Sequence, residues 1–225
     1  IRKPDYFLNT AGADIKGAGG STITINGKDE LIGQDFDIIP DRVEVGTLML
    51  AAAVTNGDVF IEGAVADHIE PLIRKLKEAS VDVNVFSNGI RVTGTGKINS
   101  VDIETMPFPG FPTDMQAQFM SFLSIASGVG IVTETIFENR FMHVNELMRM
   151  GANIRVDQRQ AIVQGVDQLC GAEVKITDLR AGAALIIAGL VANGETSVYG
   201  LEHLRRGYHD LPQKLRNLGA VIKSQ

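Results

Sequence analysis

The chain repeats itself. Pro40-Asp41-Arg42-Val43, Thr113-Asp114-Met115-Gln116 and Thr177-Asp178-Leu179-Arg180 each open an apolar run. A glycine follows each Asp by 16 residues, from 41 to 57, 114 to 130 and 178 to 194. A short β-type run comes next, then a second helical pattern that closes on Leu-x-x-x-Gly-Ala-x-Ile at Leu147 to Ile154 and Leu215 to Ile222. The first repeat has a looser form, Leu76 to Val83, with Ala79 in place of glycine. Two closing strands end at Gly94 and again at Gly165. With Asp41, Asp114 and Asp178 as markers, the periods are 73 and 64 residues. These are long for a solenoid and suit a compact αβ unit used three times.

Two kinds of helix alternate within the unit. Val43 to Thr55, Met115 to Ser127 and Leu179 to Ala192 are apolar nearly all round, the mark of a helix buried on every side. The pattern over Asp67 to Ser80 is amphipathic, with Ile69, Leu72, Ile73 and Leu76 on one face and Glu70, Arg74, Lys75 and Lys77 on the other. Strand runs alternate, as in Thr22-Ile23-Thr24-Ile25. The expected fold is α/β (α+β), a barrel-like domain turned inside out: three βαβαββ-like repeats, sheets outside and three buried helices at the centre.

The chain is out of phase with its own repeat. Leu8-x-x-x-Gly12-Ala13-Asp14-Ile15, followed by Ile23-x-Ile25-x-Gly27, is the second half of a repeat whose first half is missing. Only six residues follow Gly219, too few for closing strands. Either the first segment closes the ring or the sequence is part of a longer chain. Ile1-Arg2-Lys3-Pro4-Asp5 has no signal-peptide layout.

Composition narrows the chemistry. At 225 residues and 44% hydrophobic, the chain can bury a sizeable core. A net charge of -6 argues against a general nucleic-acid partner but not against a small anion held by local arginines. The longest apolar run, Ala183 to Val191, is about half of a membrane span. One cysteine excludes a disulfide framework and multi-cysteine metal sites, and fits a reducing compartment. Cys170 looks like a strand edge. His68, His143, His203 and His209 lack metal spacing, and Gly17-Ala18-Gly19-Gly20 precedes a strand, so it reads as a turn. No G-x-S-x-G, H-E-x-x-H or P-loop pattern is present.

The helix starts are where chemistry can sit. Thr113 and Thr177 are good N-caps, with Asp114 and Asp178 in the first turn, and Asp41 after Pro40 is a weaker cap candidate. Capping is the plain explanation for any one Asp. Yet three equivalent helix N-termini should converge, and together they suit phosphate or carboxylate. Arg42 and Arg180 stand at such starts, where a cation is unfavourable without an anion or a neighbouring Asp. Two readings stay open: an anion site, or simple pairing with Asp41 and Asp178. Thr135 to His143 could form a ligand edge in repeat two, and Arg205-Arg206-Gly207-Tyr208-His209 stands at the equivalent place in repeat three.

At Phe111-Pro112-Thr113-Asp114-Met115-Gln116-Ala117-Gln118 the sequence becomes recognisable. With Thr133 to His143, Thr177-Asp178-Leu179-Arg180-Ala181 and Arg206-Gly207-Tyr208, it closely resembles the UDP-N-acetylglucosamine 1-carboxyvinyltransferase family along its whole length. These are bacterial cytoplasmic enolpyruvyl transferases that open peptidoglycan synthesis. Their fold is two inside-out α/β barrels around a cleft. The resemblance implies that residues 1–34 end the N-terminal barrel and that 35–225 form most of the C-terminal one. The closing strands and the N-terminal barrel would come from the rest of the chain, with the near-N-terminal Lys-Asn pair and a mobile loop carrying a reactive cysteine that Cys170 does not match.

The resemblance assigns Asp114 as the general base facing the sugar 3-hydroxyl. Thr113, Ile136, Phe137 and Arg140 would line the sugar nucleotide, and Arg180 and Arg206 would grip phosphoenolpyruvate; Asp41, Arg42 and Asp178 remain secondary candidates. No cofactor, metal, nucleic acid or membrane is implied. Two alternatives are a shikimate-phosphate enolpyruvyl transferase, against which the Asn139-to-His143 loop argues, and a non-catalytic binding module of the same fold.

Overall fold

A computed structural model describes residues 3–223. Two compact units divide the chain, Ile1–Ile39 and Pro40–Gln225. The 34/35 boundary expected from the resemblance falls inside the first of these, and Ile1 and Arg2 lie outside the described residues.

The first unit holds helix α1 (Lys3–Thr10) and strands β1 (Asp14–Lys16) and β2 (Thr24–Asn26), paired antiparallel. This is the half-repeat read from Leu8 onward. Gly17-Ala18-Gly19-Gly20 is the turn between the strands, with Gly17 and Gly19 at positive φ. Ile23 and Ile25 are exposed.

The second unit opens with α2 (Arg42–Val54), β3 (Asp58–Glu62), α3 (Glu70–Glu78), β4 (Asp82–Phe86) and β5 (Gly89–Thr93). The second repeat follows as β6 (Ile103–Glu104), α4 (Gln116–Leu123), β7 (Val129–Thr133), α5 (Val144–Arg149), β8 (Asn153–Asp157) and β9 (Gln160–Gln164). The third is β10 (Glu173–Lys175), α6 (Leu179–Val191), β11 (Ser197–Tyr199), α7 (Leu201–Leu204) and α8 (Leu211–Asn217). Parallel pairs β6–β7 and β10–β11 each cross over through a buried helix, and antiparallel hairpins close the first two repeats. Among the described residues no closing hairpin follows α8.

The three helices expected at the centre are there. α2, α4 and α6 pack on one another, and all eight residues of α4 are buried. The sheets lie outside them as separate pieces of three, four and two strands, so they do not close into a barrel among the described residues. The amphipathic reading of the first outer helix also holds: Ile69, Leu72, Ile73 and Leu76 are buried, while Glu70 and Arg74 pair in solvent. Gly46 admits that helix, because a Cβ there would meet the tips of Ile69, Met115 and Leu72 within 3 Å.

One element differs from its expected span. The apolar run from Met115 to Ser127 becomes a regular helix only over 116–123, since Thr113–Met115 is a 3-10 turn. Residues beyond Leu123 tighten into i→i+3 bonds, Ile125 to Phe122 and Ala126 to Leu123. Apolar periodicity reports burial, and it cannot tell a helix from the tight turns that flank it.

Candidate active site

The three equivalent aspartates do not behave alike. Asp178 is itself the N-cap of α6, accepting from the backbone N–H groups of Arg180 at 2.8 Å and Ala181 at 3.0 Å. Asp41 caps α2 through the Val43 N–H at 2.7 Å. The expected cap Thr177 is therefore displaced by Asp178, and Asp41 proves a full cap. Both aspartates cap because a short carboxylate in extended backbone reaches the first free N–H groups. Thr113 caps nothing either. The 3-10 turn puts Asp114 inside the turn, so its carboxylate is left free of the backbone.

That freed carboxylate sits between two arginines. Arg140 Nη2 donates to Asp114 Oδ1 at 2.6 Å, and Arg180 Nη2 donates to Oδ2 at 3.0 Å. Partial burial alone would raise the Asp114 pKa, but attraction to Arg180 and the hydrogen bond from Arg140 outweigh it and hold the carboxyl below the usual range. The group is ionised at neutral pH. The arginines are mostly covered while Asp114 keeps 40% of its side chain open, so the carboxylate faces out of a cationic seat. Arg180 Nη1 is also buried and, among the described residues, makes no geometrically complete hydrogen bond.

Both readings of Arg42 and Arg180 as partners of their neighbouring aspartates are overturned. Asp41 and Asp178 spend their carboxylates on backbone caps, Arg180 reaches across to Asp114, and the Arg42 guanidinium lies 5.2 Å over the Phe108 ring. Asp41 and Arg42 are thus engaged locally at the start of α2. Asp178 fixes the helix that carries Arg180.

Around this centre the loop after β7 folds back. Arg140 stacks over Phe137 at 4.5 Å and donates from Nη1 to Thr113 Oγ1 at 2.9 Å. Ile136 and Phe137 are half-exposed at the rim. The structure thus brings together Thr113, Asp114, Phe137, Arg140 and Arg180 by direct contact. Arg206 is exposed, and among the described residues its side chain has no hydrogen bond or ion pair to the cluster. Cys170 is exposed, in a bridge with Asn193.

Three buried residues support the site that the sequence offered only as members of longer motifs, with no role of their own. Glu134, 1% exposed, accepts from Thr105, Thr113 and two loop amides. His143 is buried at the N-terminus of α5, and burial pushes its pKa down to about 4, with Asp178 opposing and Arg140 reinforcing the shift. Tyr208 links two central helices: Thr47 gives its only proton to the Val43 carbonyl, so Tyr208 donates to Thr47 Oγ1 at 2.9 Å and accepts from Gln118 at 3.2 Å. A charge at the end of an apolar strand, as Glu134 is, was the one available signal. His143 and Tyr208 stood in quoted motifs, but nothing in their local pattern reported their burial.

Among the described residues no group of three or more His, Cys, Asp or Glu is arranged to hold a metal. No helix is long and apolar enough to cross a membrane.

Known proteins resemble this chain in sequence and in shape. Residues 4–215 match the family described as EPSP synthase (3-phosphoshikimate 1-carboxyvinyltransferase). A Halalkalibacterium halodurans protein named UDP-N-acetylglucosamine 1-carboxyvinyltransferase 1 is 57% identical over 96% of the chain, which covers 49% of that protein. A Staphylococcus aureus protein of the same name is 55% identical over 96% of the chain and 52% of its own length. The chain spans about half the length of the curated relatives it matches. Among solved structures, the enolpyruvyl transferase NikO from Streptomyces tendae superposes with a TM-score of 0.85 at 30% identity, over 96% of this chain and 52% of its own. EPSP synthase from Acinetobacter baumannii reaches 0.80 at 19% identity over 98% of this chain and 55% of its own, a likeness of fold.

Proposed function

Because the chain belongs to the EPSP synthase family, we propose that it forms the acid/base and anion-binding half of an enzyme transferring the enolpyruvyl group of phosphoenolpyruvate to the 3-hydroxyl of UDP-N-acetylglucosamine. The choice of acceptor rests on the relatives at 54–57% identity, which carry that enzyme's name, while the family description names the shikimate-phosphate activity. The enzyme's expected place on this reading is the bacterial cytoplasm.

The observation that carries the reading is the seat of Asp114. A general base must be ionised and must face its substrate. Asp114 is ionised through Arg140 and Arg180 and is the one of the three equivalent aspartates not consumed by a helix cap. In the proposed step it accepts the proton of the sugar 3-hydroxyl as that oxygen bonds to the central enolpyruvyl carbon, while the double-bond electron pair takes up a proton at the terminal methylene, giving a tetrahedral adduct. Loss of a proton from the resulting methyl group then re-forms the double bond as the carbon–oxygen bond to phosphate breaks and phosphate leaves. Arg180 and Arg206 receive the carboxylate and phosphate of phosphoenolpyruvate, a task suited to planar guanidinium forks. A substrate anion on Arg180 draws that arginine's charge away from Asp114 and so strengthens the base. Thr113, Ile136, Phe137 and Arg140 line the sugar nucleotide. No metal or cofactor enters the scheme.

Calorimetric titration tests the acceptor. A polypeptide of the relatives' full length carrying this sequence should bind UDP-N-acetylglucosamine saturably and shikimate 3-phosphate at least about 100-fold more weakly. Preference for shikimate 3-phosphate would transfer the assignment to the shikimate enzyme. Binding of neither would support a non-catalytic module.

A further inference from the structure

Glu134 is a carboxylate almost wholly removed from water, with no ion pair among the described residues. Such a group is tolerated only when its oxygens are fully hydrogen-bonded. Oε1 accepts from Thr105 Oγ1 at 2.8 Å and from the backbone N–H groups of Ile136 at 2.9 Å and Phe137 at 3.1 Å. Oε2 accepts from Thr113 Oγ1 at 2.8 Å. The same Thr113 oxygen accepts from Arg140 Nη1 at 2.9 Å. The circuit closes through the ring: Phe137, fixed by Glu134 at its amide, lies under the Arg140 guanidinium at 4.5 Å.

Proton bookkeeping gives this circuit a direction. A guanidinium can only donate, so Thr113 must accept from Arg140 and spend its one proton elsewhere. Glu134 is the acceptor in place, and a carboxylate only accepts. Arg140 is thereby gripped between two carboxylates: Asp114 directly, and Glu134 through the Thr113 hydroxyl.

We propose that Glu134 is a positioning residue, setting the Ile136–Phe137 rim by its loop bonds and the Arg140 guanidinium by its bond to Thr113. This rests on the function proposed above for what the positioned groups receive, a sugar nucleotide. The positioning itself is a matter of geometry and is tested separately.

Glu134→Gln isolates the second half of the circuit. Three donors converge on the Oε1 place, so the amide keeps its oxygen there and turns its NH2 toward Thr113. Thr113 then has lone pairs for both donors but no acceptor left for its own proton, so its hydroxyl must turn away and the Arg140 seat is lost while the loop bonds survive. Thr113→Val breaks the relay at the hydroxyl, removing the donor to Glu134 Oε2 but leaving the three bonds to Oε1, and Thr113→Ser keeps the hydroxyl and should keep the relay.

The test uses the full-length polypeptide. In crystal structures of unliganded Glu134→Gln and Thr113→Val, Arg140 should leave Thr113, and in Thr113→Ser it should stay. Steady-state assays should show the Michaelis constant for UDP-N-acetylglucosamine raised about 10-fold or more in both displaced variants, with a smaller fall in kcat because Arg140 also seats Asp114. The double variant should be no worse than the worse single one, because both act through one hydroxyl. Arg140 in its original place in both variants, or a displaced Arg140 with an unchanged Michaelis constant, overturns the proposal. So does a loss of melting temperature with no split between the two constants. If the unmodified protein shows no saturation by UDP-N-acetylglucosamine, the function reading fails, and the position of Arg140 in the variants still decides the role of Glu134.

Discussion

A helix cap and a general base can be the same residue type at the same place in a repeat, and here one turn of backbone separates them. Asp41 and Asp178 lie in extended backbone and are consumed by the N–H groups they cap, while Asp114 rides inside a 3-10 turn and is left for Arg140 and Arg180. The sequence showed the three aspartates and their common spacing. It did not show which one was free, because that depends on where the helix starts rather than on its apolar period. His143 shows the same limit, since its burial comes from chain segments distant in sequence. Its consequence is measurable. With a folded pKa of about 4 against an ordinary 6.5, the unfolded chain takes up a proton in that window that the folded chain refuses. Stability contributed by neutral His143 is full above about 6.5 and is lost as pH falls toward 4, by about 3 kcal/mol over the window. Urea unfolding between pH 7 and 4.5 should therefore give a flatter stability profile for His143→Gln than for the unmodified protein. Parallel profiles would show that His143 does not titrate in this way.

At the level of elements, the repeat is held in register by its glycines. Gly94 and Gly165 end the closing strands, and each donates its N–H to a glycine carbonyl behind a buried helix, Gly57 at 2.8 Å and Gly128 at 3.0 Å. A Cβ on Gly165 would fall 1.6 Å from the Ala126 carbonyl oxygen, and one on Gly94 would fall 2.4 Å from Asn56 Cα. The obstacle is backbone in both cases, so no rotamer change relieves it. Gly165→Ala should cost about 3 kcal/mol or more and lower the melting temperature by several degrees. Gly27→Ala, with open space around it and no positive φ, should stay within about 0.5 kcal/mol. Equal melting temperatures for the two variants would refute the packing argument. Glycine spacing was visible in the sequence because it marks turns, and turns recur with the repeat. The buried polar residues of α4, Gln116, Gln118 and Ser121, were hidden inside a run that otherwise reads as apolar.

For the whole molecule, the three-helix centre and outer sheets were legible because every repeat states them again, and one weak match supports the next. The site was legible only in part: Thr113, Asp114, Phe137, Arg140 and Arg180 do meet, whereas among the described residues the Arg206 side chain makes no hydrogen bond or ion pair with them, and buried Glu134 bonds to Thr113 beneath them. The cluster offers charge from one side, and differential binding of a transition state needs groups placed around the transferring centre. The rest of a polypeptide of the relatives' length is expected to provide them, so residues 1–225 alone should not turn over. The central claim is that Asp114 is the base. The most direct test is phosphate release from phosphoenolpyruvate with UDP-N-acetylglucosamine, measured on the full-length polypeptide with Asp114 and with Asp114→Ala. The account predicts turnover by the first and a loss of about 100-fold to 10,000-fold in the second, with the folded state kept. Near-normal turnover by a folded Asp114→Ala protein would contradict it.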